Sequence, residues 1–175
     1  MSRHVVTATE ANLDAVWQFY VDVCEHQALD AHGPLWTLGV YPAKQDIVNH
    51  IEAGDLFLLF DADELVGAMV LTSHEDDEYL AVPWPSGTTG DDVCALHLLA
   101  VHPNHRGQGI GSELAQEAIR LARKWGKRAI HLDVVPGNLA ASRIYLAAGF
   151  SLVGTFQIWY EDTGTMDFEL YEFVL

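Results

Sequence analysis

The stretch Val101-His102-Pro103-Asn104-His105-Arg106-Gly107-Gln108-Gly109-Ile110-Gly111-Ser112 decides the reading of this chain. Before it, Val93 to Val101 is an apolar run broken only by His97, the pattern of a strand buried on both faces, and Pro103 stops it. After it, from Gly109 to Trp125, Ile110, Leu114, Ala118, Ala122 and Trp125 form one helical stripe. Glu113 and Glu117 stand early in that helix and Arg120, Arg123 and Lys124 late, as the helix dipole favours. Glycines at alternate positions let the backbone approach a ligand closely, and the first turn of a helix offers unpaired N–H groups at a positive dipole end. The segment is therefore an anion cradle, and Arg106 adds a charge suited to phosphate oxygens.

Two common nucleotide motifs do not account for it. The P-loop needs Gly-Lys-Ser/Thr, and Gly126-Lys127 is followed by Arg128. A dinucleotide fingerprint beginning at Gly107 needs glycine or alanine at position 112, where Ser112 stands.

Outward from the cradle, the pattern predicts a strand at His4 to Thr9 and a helix over Ala11 to His26, carrying Leu13, Val16, Trp17, Tyr20 and Cys24. A loop follows over Gln27 to Tyr41, then a helix from Pro42 to about Gly54. Leu56 to Phe60 and Leu65 to Leu71 read as a hairpin. Ser73 to Asp92 is a long polar loop with the acidic cluster Glu75-Asp76-Asp77-Glu78, placed to cover a site. Ala129 to Val135 reads as a strand and Asn138 to Ala148 as a helix closed by Gly149. Phe156 to Tyr160 and Thr165 to Val174 form a terminal hairpin. This order predicts an α/β fold in one domain, 1–175: a mixed sheet of six or seven strands flanked by about four helices, with at least one parallel pair.

The chain has 175 residues, half of them apolar and 19% charged, enough for one proper core. Its net charge of −16 opposes binding to nucleic acid or an anionic membrane. That charge is uneven: seventeen acids and two bases up to Asp92, three acids and seven bases from Val93 to Tyr160, five acids and no base afterwards. A basic stretch inside an acidic chain marks a place for an anion, and the acidic remainder attracts cations or serves as a solvated surface. No apolar run approaches the roughly 20 residues a bilayer requires, and no signal-like core follows the first residues. A cytoplasmic location is expected. Cys24 and Cys94 lack metal or redox spacing and read as buried thiols.

The residues resemble the acetyl-coenzyme A binding core of the general N-acetyltransferase (GNAT) superfamily. The resemblance lies in Arg106 to Gly111, then Leu132-Asp133-Val134, Asn138, Ala141, Tyr145 and Gly149-Phe150, with Arg106 and Asn138 thirty-two apart. It implies central strands that splay, and a backbone at Leu99, Ala100 and Val101 that pairs with the pantetheine arm and acetyl group of acetyl-CoA. It further implies that Arg106, Gly107, Gln108, Gly109, Ile110, Gly111 and Ser112 hold the pyrophosphate, that Asn138 hydrogen-bonds the arm, and that Tyr145 protonates the departing thiolate. A neutral phenol can do so. Asn138 is also a natural helix N-cap, and Tyr145 can equally be a packed aromatic.

An attacking amine must first lose a proton. His97 interrupts an apolar strand, and Leu96 to His102 looks like the corresponding strand of arylalkylamine N-acetyltransferases, which implies His97 as the base. Ala95 stands where that group has a second histidine. His102, His105 and His131 are weaker candidates, and no metal is expected. Trp36, Tyr79, Trp84, Trp159 and Tyr160 with Glu75, Asp76, Asp77, Glu161 and Asp162 either frame a cationic small-molecule amine or peptide, or are core aromatics and a solvated rim. The expected activity is direct acetyl transfer to a primary amine. A non-catalytic acyl-CoA-binding or sensing module, or a structural protein reusing the fold, are the alternatives. Phe173-Val174-Leu175 either pairs with a second copy, giving a homodimer, or packs into its own core.

Overall fold

Apolar periodicity and capping residues give elements in the predicted order. The computed structural model describes residues 3–27, 29–30 and 33–175. They form β1 (His4–Thr7), α1 (Leu13–Gln27), α2 (Lys44–Ala53), β2 (Leu56–Asp61), β3 (Glu64–Thr72) and β4 (Val93–Val101). Then come α3 (Ile110–Lys124), β5 (Ala129–Val134), α4 (Leu139–Ala148), β6 (Ser151–Tyr160) and β7 (Gly164–Val174). α2 begins after Pro42, at Lys44, because the Ala43 N–H donates to Asp46 Oδ2 at 2.7 Å and makes Ala43 the cap. Its far end is Gly54, at φ +74°, a left-handed stop that glycine adopts without a Cβ clash. β6 begins at Ser151, five residues before the predicted strand. A register shift between Leu152 and Gly154 breaks the alternation by which a strand is recognised.

The strands form one mixed sheet in the order β1-β2-β3-β4-β5-β7-β6. β4 and β5 run parallel, and their ladder covers only Val93↔Ala129 to Ala95↔His131. β7 lies between β5 and β6 and is antiparallel to both. The terminal strand is thus paired on both sides inside its own sheet.

The residues group into two compact units, one reaching to Leu71 and including Leu98–Leu114, the other comprising Thr72–His97 and Ala115–Leu175. β4 and α3 each run through both. In the first unit Val16, Phe19, Tyr20 and Val23 of α1 pack with Ile47 and Ile51 of α2, Leu56 and Leu58 of β2, Ala68 and Val70 of β3, and Leu98 and Ala100 of β4. Gly67 is where β3 meets the start of α3. An added Cβ there would lie 2.9 Å from both Ile110 Cγ2 and Leu114 Cδ1 and 3.4 Å from the Ala100 carbonyl oxygen. Gly67→Ala should therefore cost about 1–3 kcal/mol, read as a lower urea midpoint with an unchanged slope. A wild-type midpoint would mean that β3 does not hold the first turn of α3.

The second unit closes around Tyr79, Val82, Trp84, Ala95, Ile158, Phe168 and Leu170. The loop between β3 and β4 is tied down along its length. Lys127 Nζ donates to the carbonyls of Ser73 and, at 2.6 Å, Asp91, which gathers the two ends. Deeper in, His131 of β5 is fully buried, its Nδ1 2.9 Å from Glu75 Oε1 and its Nε2 3.1 Å from Glu172 Oε1, with the Trp84 ring stacked on it at 3.5 Å. Glu75 Oε2 also accepts the Gly90 N–H, and Glu172 accepts the Ser86 hydroxyl.

Candidate active site

The cradle belongs to the first unit. Leaving β4, the His102 N–H donates to the Val66 carbonyl at 3.0 Å, and Pro103–His105 forms a 3-10 turn. The turn is pinned on both sides: His102 Nδ1 accepts the Asn104 N–H, His102 Nε2 lies 3.3 Å from Asp22 Oδ2, and His105 Nε2 lies 2.9 Å from Glu64 Oε1. Arg3 holds the next stretch, donating to the Gln108 carbonyl at 3.3 Å and to Glu113 Oε2 at 3.1 Å. Gly107 and Gly109 have φ of +77° and +79°, a region that favours glycine, and a Cβ at either would meet nothing within 4 Å. Among the described residues, no amide from Gly107 to Ser112 donates a hydrogen bond within the protein. A run of unused N–H groups at the start of α3 can receive an anion, and the residues present fit the pyrophosphate of a coenzyme A ester.

Arg106 is ion-paired. Its Nη1 donates to both oxygens of Asp30, at 3.0 and 2.8 Å, so its charge is engaged by a carboxylate. The pair is exposed, and exposed pairs are worth about 0–1 kcal/mol, so a phosphate can displace Asp30. Along β4, Leu98 has φ +50°, which departs from extended strand geometry, and its carbonyl accepts the hydroxyl of the buried Tyr20 at 2.8 Å. Leu99, Ala100 and Val101 follow, beyond the end of the ladder with β5.

The remaining candidates lie in the second unit. Tyr145, on α4, is buried with its ring edge-on to Phe150 at 5.5 Å. Burial first, and the Asp133 charge second, push its pKa up, so the phenol keeps its proton at neutral pH. Asn138 caps α4, its Oδ1 accepting the Ala141 N–H at 3.2 Å. His97, the last residue of β4 in this unit, has Nε2 2.8 Å from Asp76 Oδ2, and its ring stacks on Tyr79 at 6.2 Å. Asp133 Oδ2 accepts the Tyr79 hydroxyl and, at 2.8 Å, the Tyr160 hydroxyl. Burial and then the Asp133 charge raise the pKa of both tyrosines.

The aromatic and acidic candidates take different places. Tyr79 and Trp84 are core residues of the second unit, and only Trp159 among the five aromatics is widely exposed. Glu75 is buried against His131, so it is structural, and His131 is its structural partner. Asp76 is turned toward His97. Sequence reasoning did not single out Asp30 and Glu172, and it read Asp133 only as part of a matching strand. Each is an ordinary acid by pattern, and each takes its role from partners far along the chain. Cys24 and Cys94 are buried free thiols, and burial pushes the Cys94 thiol up to about 11.

An α/β sheet in which a central strand gives way to a helix through a turn of unused amides defines a class, the proteins able to seat a phosphate-bearing ligand at a helix N-terminus. Residues 12–150 match the acetyltransferase (GNAT) family, and the chain belongs to it. It is 29% identical over 126 residues to N-acetyltransferase 8B of Rattus norvegicus, 70% of this chain and 57% of that protein. It is 37% identical over 67 residues to an uncharacterized N-acetyltransferase of Methanocaldococcus jannaschii, 38% of this chain and 30% of that protein. The matches thus leave much of these curated relatives uncovered. Among solved structures, PaiA N-acetyltransferase from Thermoplasma acidophilum in complex with coenzyme A shares the fold, with TM-score 0.73 at 16% identity over 100% of both chains. No helix among the described residues is long and apolar enough to cross a membrane.

Proposed function

We propose that this chain is one catalytic domain that transfers the acetyl group of acetyl-CoA directly to a primary amine of a small cationic substrate or a peptide. The observation that carries this reading is the set of unused amides from Gly107 to Ser112 beside two positive-φ glycines. Family membership supports it. When bound, acetyl-CoA supplies the activated acyl carbon and a thiolate leaving group. The amides Gly107 to Ser112 hold the pyrophosphate, with Arg106 exchanging Asp30 for a phosphate oxygen. Leu99, Ala100 and Val101 pair their backbone with the pantetheine arm, which Asn138 also meets with its amide. His97 takes a proton from the ammonium so that the nitrogen lone pair can attack. Tyr145 gives its proton to the sulfur as the carbon–sulfur bond breaks, and the second proton shed by the acetylated nitrogen returns to the phenolate. The surplus of acids favours a cationic acceptor, and the buried, unbridged thiols fit a reducing compartment such as the cytoplasm.

The test is release of free CoA thiol from acetyl-CoA across peptide N-termini, lysine, polyamines, aminoglycosides and arylalkylamines, beside a thermal shift with acetyl-CoA alone. Turnover with one amine class and a raised melting temperature are expected. A shift without turnover on any amine would favour the acyl-CoA-binding module. Absence of any shift would overturn the assignment of the cradle.

A further inference from the structure

Leu98 stands at φ +50° inside β4, a conformation that a residue with a Cβ seldom takes and that persists only where the surroundings impose it. Two contacts within the first unit impose it. The Leu98 side chain is buried in the core that Val16, Phe19 and Val23 help to form, and its carbonyl accepts the Tyr20 hydroxyl at 2.8 Å. Tyr20 is itself fixed. It is fully buried on α1, with its ring edge-on to Phe19 at 5.2 Å and to Trp36 at 6.0 Å. Burial first, and Cys24 second, push its pKa far up, so the phenol remains a hydrogen-bond donor. The Leu98–Leu99 peptide is trans, and in a trans peptide the carbonyl and the following N–H point opposite ways. A bond that holds the Leu98 carbonyl toward α1 therefore holds the Leu99 N–H away from it.

We propose that Tyr20 is a positioning residue for the pantetheine arm: by holding the Leu98 carbonyl it sets the direction in which Leu99, Ala100 and Val101 offer their backbone groups to that arm. This rests on the reading of those three residues as the strand that the arm joins. Recognition by strand addition depends on main-chain donors and acceptors standing at fixed angles, and a peptide that turns displaces the ones that follow it. Tyr20→Phe keeps the ring and its packing but takes the donor from the Leu98 carbonyl, so the turned peptide is free to relax toward ordinary strand geometry. The diphosphate is held separately, by the amides of Gly107 to Ser112. Loss of the Tyr20 hydroxyl should therefore loosen the arm and leave the nucleotide end of the carrier seated.

The experiment is titration calorimetry of the full chain with two probes: coenzyme A, and adenosine 3′-phosphate 5′-diphosphate, which is the carrier without its arm. Tyr20→Phe should weaken coenzyme A about tenfold and change the nucleotide by less than about twofold. Val16→Ala, in the same core, is the control for general loosening: it should lower the urea midpoint and keep the wild-type ratio of the two affinities. A ratio that moves as far in Val16→Ala as in Tyr20→Phe would overturn the proposal. So would an unchanged ratio in Tyr20→Phe, with the site for the arm left standing. If the unmodified protein binds coenzyme A no more tightly than the nucleotide, the reading of Leu99 to Val101 fails first and takes the role of Tyr20 with it. A measurement on the unmodified protein needs no variant: in a tyrosine-labelled sample the Tyr20 hydroxyl proton should exchange slowly with water, and fast exchange would overturn the proposal.

Discussion

Tyr145→Phe is expected to lower kcat about 100-fold or more while leaving acetyl-CoA binding, read as thermal shift, close to wild type. The variant deletes one oxygen from a buried ring that packs on Phe150 and Tyr171, so the helix and its packing remain. On the proposed mechanism it removes the proton that the departing thiolate needs. Burial and the Asp133 charge both keep that proton on the phenol, the state an acid must be in before it acts. The loss should be in kcat more than in KM, because the hydroxyl matters when negative charge appears on sulfur. Steady-state kinetics on the best amine, with wild type alongside, checks it. A Phe variant at full rate would remove Tyr145 as the acid and leave it as core packing.

His131→Ala is expected to be the most destabilising substitution described here, costing about 3–5 kcal/mol. The ring sits between two carboxylates that are themselves buried, and its loss leaves Glu75 and Glu172 facing a cavity with like charge. Trp84 loses the ring stacked on it at 3.5 Å. The expected readout is a lower urea midpoint and a melting temperature reduced by roughly 10 °C, given about 2–4 °C per kcal/mol in chains of this size. Because Glu75 is the residue before Asp76, whose carboxylate meets His97, activity should fall even below the unfolding transition. A midpoint within about 1 kcal/mol of wild type would show that the buried cluster contributes little beyond replaceable packing.

Much of the fold was legible because its signals are local. The stripe from Ile110 to Trp125 needs only the period of a helix, and Gly54 and Gly149 end α2 and α4 through their own freedom at positive φ. The cradle was legible for the same reason, since Gly107 and Gly109 adopt the conformations that their identity permits. Asn138 declared itself by capping chemistry, and His97 by being polar in an apolar strand.

Other features carry no local mark. Leu98 takes a positive φ with a side chain that normally avoids it, and its carbonyl is bonded to Tyr20, 78 positions away in the chain. In the sequence Glu75, Asp76, Asp77 and Glu78 are four equivalent acids; the fold buries one against His131 and turns the next to His97. Arg106 reads as a free cation until Asp30 is placed against it.

By itself, then, the sequence determined the order of elements, the mixed sheet and the place of the glycine turn before α3. These follow from periodicity, glycine geometry and helix ends, which depend on neighbours a few residues away. Only the tertiary structure decided which charges are buried, which are paired and which nitrogen of His97 meets a carboxylate. The stability of a buried charge depends on the partner that replaces its water, and here each such partner comes from another element of the chain.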